Sequence, residues 1–337
     1  MTLPAPEEIA RAVEVLRAGG LVAFPTETVY GLGADASKRK AVKRIFEAKG
    51  RPATHPLIVH LGGSGELGRW ARDIPESARQ LAERFWPGPL TLVLKRAAKV
   101  LDVVTGGQDT VGLRVPAHPV AQALLQAFGG GIAAPSANRF GRLSATTAQH
   151  VREELGERVD LILDGGACPV GIESTILDLS SGAPVLLRPG HITAEEIGAV
   201  LETPVARRGA GSPRAPGGLA AHYAPQLPLR LVPRPTLDAI VREQAAHGPV
   251  AVLARHARPA SSAATVWMYA PLDAASYAHH LYAALRQLDR SSCAAILVEA
   301  PPETSDWSAV RDRLSRAASG SGAAGQAAAS AEASDAT

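Results

Sequence analysis

Through the first half of the chain, short apolar runs rich in β-branched residues recur between polar stretches: Leu21 to Phe24, Leu57 to Leu61, Leu90 to Leu94, Val111 to Val115, Ile132 to Ala134, Leu161 to Leu163, Ser174 to Leu179 and Val185 to Leu187. Runs of this length bounded by Gly, Pro and polar clusters predict strands. The stretches between them, such as Pro6 to Ala18, carry apolar residues at helical spacing, and Lys40 to Lys49 places Ala41, Val42, Ile45 and Phe46 on one helix face. The alternation predicts an α/β domain over residues 5–203. Residues 204–227 are dense in Gly, Pro and Ala without a lasting period, which reads as a linker or a draped segment. Residues 228–318 resume the alternation, with strands at Leu229 to Val232, Val250 to Leu253, Val266 to Tyr269 and Ala295 to Glu299, and helices near Thr236 to Ala246, Ala274 to Leu288 and Trp307 to Ala318. That order predicts a smaller, Rossmann-like α/β domain with a mainly parallel sheet and crossover helices. Residues 319–337 are nearly all Ala, Ser and Gly and read as a disordered tail.

Composition narrows the class. The 337 residues suffice for about two domains, and 46% hydrophobic with 20% charged residues describes a folded chain. A net charge of +3 is too small an excess to suggest a dense nucleic-acid-binding face. Cys168 and Cys293 form no CxxC, so neither a disulfide framework nor a zinc module is expected, and a reducing compartment follows. Glu7 and Glu8 interrupt the place where a secretory signal would be apolar, and no run approaches the roughly 20 apolar residues of a membrane span. The expectation is a soluble, cytoplasmic protein with no membrane partner.

Gly-Lys never occurs, so there is no Walker A loop. Gly31, Gly33 and Ala36 match a loose dinucleotide pattern, but Pro25 to Tyr30 intervene after the strand and no helix opens at Asp35. What remains is a set of polar positions at the ends of apolar runs. Lys49 and Arg51 emerge at a helix C-terminus, either as a solvated end or as an anion site. The chain has six Lys against 29 Arg, so a Lys kept beside an Arg suggests a point-charge contact such as one to phosphate. Arg114 lies inside the apolar run VGLRVP and needs either a buried acidic partner or an anionic ligand. Ser136 and Asn138 leave a strand in AAPSAN, Glu173 to Thr175 open one, and Arg188 ends another.

These segments, PTETVYGLG at 25–33, KGRPATHPLIVH at 49–60, WPGPLTLVL at 86–94, TVGLRVPAHP at 110–119, AAPSAN, IEST and LLRPG, occur in the order and approximate spacing of L-threonylcarbamoyladenylate synthases, and HYAP at 222–225 resembles the long, two-domain form. The resemblance implies a catalytic domain built on a concave, twisted mixed open sheet. It implies the reaction of L-threonine, bicarbonate and ATP, with Mg2+, to threonylcarbamoyl-AMP and pyrophosphate, the first step of threonylcarbamoyl adenosine formation in tRNA. The product would pass to a tRNA threonylcarbamoyl transferase complex. Carried over by position, threonine would meet Thr26, His60, Arg114, the backbone at Ala134, and Ser174. ATP would meet Lys49, Arg51, Ala53, Thr110, Ser136, Asn138, Ser144, Arg188 and Tyr223, with Lys49 and Arg51 catalytic through charge neutralisation. No dedicated protein metal ligand is implied. His55 stands where the family has Asn, and Arg139 to Gly141 with Ser144 to Thr146 departs from its small-residue loop. Competing readings are a double-stranded RNA-binding module, with weak RNA binding, and the carbamoyl-adenylate enzyme of hydrogenase maturation.

Overall fold

The computed structural model describes residues 4–209 and 211–322, so most of the segment read as a disordered tail, 323–337, lies outside the described residues. The chain divides into two units, residues up to 140 together with 144–218, and residues 141–143 together with those from 219 onward.

Among the described residues the first unit is built on ten strands: β1 (Val22–Phe24), β2 (Gly31–Asp35), β3 (Ile58–His60), β4 (Leu90–Lys95), β5 (Thr110–Arg114), β6 (Ile132–Ala133), β7 (Leu161–Ile162), β8 (Thr175–Asp178), β9 (Val185–Arg188) and β10 (Ala206–Arg207). Their order in space is β10-β9-β8-β4-β5-β3-β6-β2-β1-β7. Neighbours β3 and β5, and β4 and β8, run parallel, whereas β4 and β5, β3 and β6, and β2 and β6 are antiparallel. The sheet is therefore mixed, as expected. On one face Leu32, Val59, Leu92, Leu113 and Leu177 are buried with Val42, Ile45 and Phe46 of the helix Arg39–Lys49. At the other end Val22, Phe24 and Ile132 pack with the helices Pro6–Arg17 and Pro119–Phe128. Each such side chain contributes about 1.5–3 kcal/mol on burial.

β2 has no counterpart among the apolar runs, because Gly-Leu-Gly-Ala-Asp lacks β-branched residues. It forms a strand because its glycines permit close packing between β1 and β6. A Cβ on Gly33 would stand 2.7 Å from the Phe24 ring and 2.8 Å from Ile132 Cγ2. The glycine pattern thus serves strand packing and not a phosphate loop.

The second unit holds β11 (Leu229–Val232), β12 (Val250–Ala254), β13 (Val266–Tyr269) and β14 (Ala295–Glu299), ordered β11-β14-β12-β13 and all parallel. The helices Leu237–Ala245, Ala274–Asp289 and Ser308–Gly320 connect or close it. Val232, Val250, Val252 and Leu297 are buried against Leu237 and Val241. This is the small parallel α/β domain that the alternation predicts. Residues 204–209 and 211–218 fold with the first unit and 219–227 with the second. No described helix is long and apolar enough to cross a membrane.

Candidate active site

Strand alternation sorts side chains onto two faces. In β5, Val111 and Leu113 enter the core, so Thr110, Gly112 and Arg114 face the other way; β3 sends Val59 inward and Ile58 and His60 outward; β4 sends Leu92 inward and Thr91 and Val93 outward. The outward face is covered in part by Ala215, packed on Ile58, Val93, Ile176 and Leu187. A narrow cavity remains, lined by Thr91, Thr110, Gly112, Ile176, Arg214 and Pro216. Arg214 is fixed there through its N–H to Gln108 Oε1 at 2.6 Å.

Arg114 and His60 are paired in register on adjacent strands. Arg114 Nη2 lies 2.7 Å from Glu27 Oε1, Nη1 donates to Thr28 Oγ1 at 2.9 Å, and Nε donates to the Gly88 carbonyl at 3.1 Å. Of the two readings of this cation, the buried ion pair is realised. A guanidinium has more N–H donors than these partners use, so the arrangement also leaves capacity for a carboxylate. The second Glu27 oxygen accepts from the Ala117 N–H at 3.0 Å. Thr26 organises the turn beneath it, its hydroxyl donating to the Val29 carbonyl at 2.7 Å and lying 2.8 Å from Thr28 Oγ1. Burial, then the Arg114 charge, lowers the His60 pKa to about 3, so the ring is neutral at physiological pH.

Lys49 ends its helix, yet it is buried, so the solvated helix end does not hold. Nζ donates to the Ser136 carbonyl at 2.6 Å and to that of Asn138, where AAPSAN leaves β6. Burial, then the neighbouring Arg51, pushes its pKa well down. Arg51 Nη2 donates to the Pro56 carbonyl at 2.9 Å, and its guanidinium stands 5.8 Å from the Phe140 ring centroid. Because Pro56 also lines the narrow cavity, the Lys49 group adjoins the outward face. His55, a departure from the family pattern, meets Phe140 edge-on at 5.4 Å, and burial together with Arg51 and Arg214 lowers its pKa to about 4.

A third cluster closes the face. Ser174 Oγ lies 2.8 Å from Thr91 Oγ1, and Arg188 donates to the Ser174 carbonyl through Nε at 3.1 Å and Nη2 at 2.9 Å. Arg188 Nη1 donates to the Pro216 carbonyl at 3.1 Å, fastening the segment over the sheet. The buried Ser144 hydroxyl donates to Glu173 Oε1. The Ala134 N–H is taken by the Ile58 carbonyl, and Ala53 is exposed in the turn after Lys49. Tyr223 belongs to the second unit, where its ring lies 5.9 Å from Tyr282 and 5.2 Å from the Arg313 guanidinium.

Sequence reasoning missed Glu27, Thr28 and Thr91. Glu27 had a signal, being an acidic residue within a stretch whose neighbours Leu21 to Ala36 are otherwise mostly apolar. Thr91 had none.

Residues 14–190 match the family model described as "Telomere recombination", that of Sua5, YciO and YrdC, and residues 192–319 match the one described as "Threonylcarbamoyl-AMP synthase, C-terminal domain". The threonylcarbamoyl-AMP synthase of Pyrococcus abyssi is 42% identical over 322 residues, 92% of this chain and 94% of that protein. That of Bacillus subtilis is 42% identical over 325 residues, 93% of each. Among solved structures, P. abyssi Sua5 complexed with L-threonine is similar with a TM-score of 0.87 at 41% identity, covering 92% of this chain and 94% of that one.

Proposed function

The chain belongs to the threonylcarbamoyl-AMP synthase family, and on that premise we propose how its buried cations divide the work of the reaction. The protein is an enzyme that makes threonylcarbamoyl-AMP, the first step of threonylcarbamoyl adenosine formation in tRNA, and neither the RNA-module nor the hydrogenase-maturation reading is favoured.

In the proposal, L-threonine places its carboxylate on Arg114, with Thr26, neutral His60, the Ala134 backbone and Ser174 around the amino acid. Glu27 acts as a positioning residue, holding the guanidinium through its far edge. The threonine amine and bicarbonate condense to a carbamate with loss of water. A carbamate oxygen then attacks the α-phosphorus of ATP, the bond to the β-phosphate oxygen breaks, and pyrophosphate leaves. No enzyme nucleophile is needed; the chain supplies orientation and charge stabilisation. Lys49 and Arg51 face the phosphates, Arg188 and Thr110 hold the far end, and Ser136, Asn138, Ser144 and the Ala53 backbone complete the nucleotide site. The role that the resemblance gives Tyr223 toward ATP stays part of the proposal.

Among the described residues no group of three or more His, Cys, Asp or Glu converges on a metal position. An Mg2+ ion brought with ATP would be held chiefly by the nucleotide's own phosphates. Transfer of the product to a tRNA threonylcarbamoyl transferase complex, in a reducing cytoplasm, completes the proposed setting.

The observation that carries the division of labour is the buried Arg114, anchored on the outward sheet face, together with a second buried basic side chain, Lys49, held at the strand exit of β6. Pyrophosphate release with ATP, Mg2+, bicarbonate and L-threonine omitted in turn tests it. Release should need all four, and equal release without threonine would contradict it.

A further inference from the structure

A second cavity opens at the C-terminal end of β2, where Asp35 pairs with Ile132, itself paired with His60 on β3; it shares no lining residue with the narrow cavity. Gly31, at one end of β2, bridges Ser136 beside the Lys49 group; Asp35, at the other end, lines this cavity, about 13 Å of strand away. It has a volume near 360 Å3, within the usual range of small-ligand sites, about 300–1,000 Å3. Arg17, Arg69 and Lys99 surround it, Trp70 and Phe128 form apolar walls, and Asp35 contributes a carboxylate.

The walls are built by sequence. A Cβ on Gly131 would stand 2.2 Å from Trp70 Cζ2, so the indole lies directly on that backbone, and a Cβ on Gly130 would be 3.1 Å from the Phe128 ring. Asp35 is held in place because Oδ1 accepts from the Ser37 N–H at 2.9 Å and hydroxyl at 2.6 Å. Its other oxygen is 3.8 Å from Lys38 Nζ. Arg69 is paired with Glu66 at 3.5 Å, whereas Arg17 and Lys99 hold no ion pair among the described residues. Unneutralised cations converging on a concave site raise the local concentration of anions. Two aromatic walls add a stacking surface for a planar ring, and a fixed carboxylate accepts hydrogen bonds from sugar hydroxyls, as in dinucleotide sites.

We propose that this cavity is a second nucleotide site, separate from the catalytic one. The base lies against Trp70 and Phe128, the ribose hydroxyls reach Asp35, and the phosphate meets Arg17, Arg69 and Lys99. This site follows from this cavity alone and not from the reaction assigned to the first site.

Equilibrium dialysis of labelled AMP against the full chain at fixed ionic strength tests it. Wild type should bind two equivalents per chain. The double variant Arg17→Glu/Lys99→Glu, changed only at exposed side chains, should lose one of them, with affinity there falling about tenfold or more. Its pyrophosphate release should stay unchanged, which also reports that it is folded. Lys49→Ala should instead weaken the other equivalent. Trp70→Leu should weaken AMP at the second site while leaving inorganic phosphate competition unaltered. A single equivalent in wild type would overturn the proposal, as would unchanged stoichiometry in the double variant. Phosphate that displaces AMP as well as ADP does would reduce the cavity to an anion site and overturn the nucleotide assignment.

Discussion

Glu27 Oε1 stands 2.7 Å from Arg114 Nη2, with the two side chains only 8% and 4% exposed. Removing one partner of such a pair strands a charge in a low-dielectric site. Glu27→Ala should lower stability by about 3–5 kcal/mol, and replacing both residues by apolar ones should cost less than the sum of the single changes. Urea unfolding of Glu27→Ala, Arg114→Met and the double variant checks this; strict additivity would show that the two side chains do not act as a pair.

The cations should separate kinetically. Each charge-assisted contact is worth about 1.5–3 kcal/mol, so Arg114→Ala should weaken L-threonine binding about tenfold or more, and Lys49→Ala should lower turnover by a similar factor with little change in threonine affinity. Calorimetric titration with threonine and steady-state pyrophosphate release give the two readouts. Unchanged threonine affinity in Arg114→Ala would remove its role.

Lys49→Arg should not restore turnover. Nζ fits as a point donor between the Ser136 and Asn138 carbonyls, and a planar guanidinium cannot reproduce that geometry in a buried position. A Lys49→Arg variant with wild-type turnover would show that charge alone suffices.

His60 sets a pH dependence. Its folded pKa of about 3 lies below the ordinary imidazole value of 6.5, so between those values the unfolded chain binds the extra proton. Its contribution to stability is full above about pH 6.5 and declines as the pH falls toward about 3, by up to about 1.4 kcal/mol per pH unit. His60→Gln should flatten the acid limb of a stability-against-pH curve; coincident slopes for both proteins would contradict the assignment.

Much of this was legible in the sequence because the strands carry their own instructions. Thr110, Gly112 and Arg114 alternate with Val111 and Leu113, so period two alone places Arg114 on the face away from the core. The parallel second sheet followed from its regular β-α order. β2 was not legible, since Gly31 and Gly33 read as turn residues until Phe24 and Ile132 are seen filling the space over them. Nor was the Glu27 to Arg114 pair, because its partners meet only after β5 is threaded into the sheet. The position of Lys49 at a helix end is legible from the helical spacing, but its burial depends on the carbonyls of Ser136 and Asn138, far along the chain.

The division of labour rests on a carbamate, not the threonine carboxylate, attacking ATP, and carbon-labelled bicarbonate tests that most directly. Mass spectrometry of the product formed from labelled bicarbonate, L-threonine and ATP should find the label in a threonine adduct of AMP, with pyrophosphate in equal amount. An unlabelled threonyl-AMP released with the same pyrophosphate would mean that the carboxylate is the nucleophile, and would contradict the assignment of Arg114 as its holder.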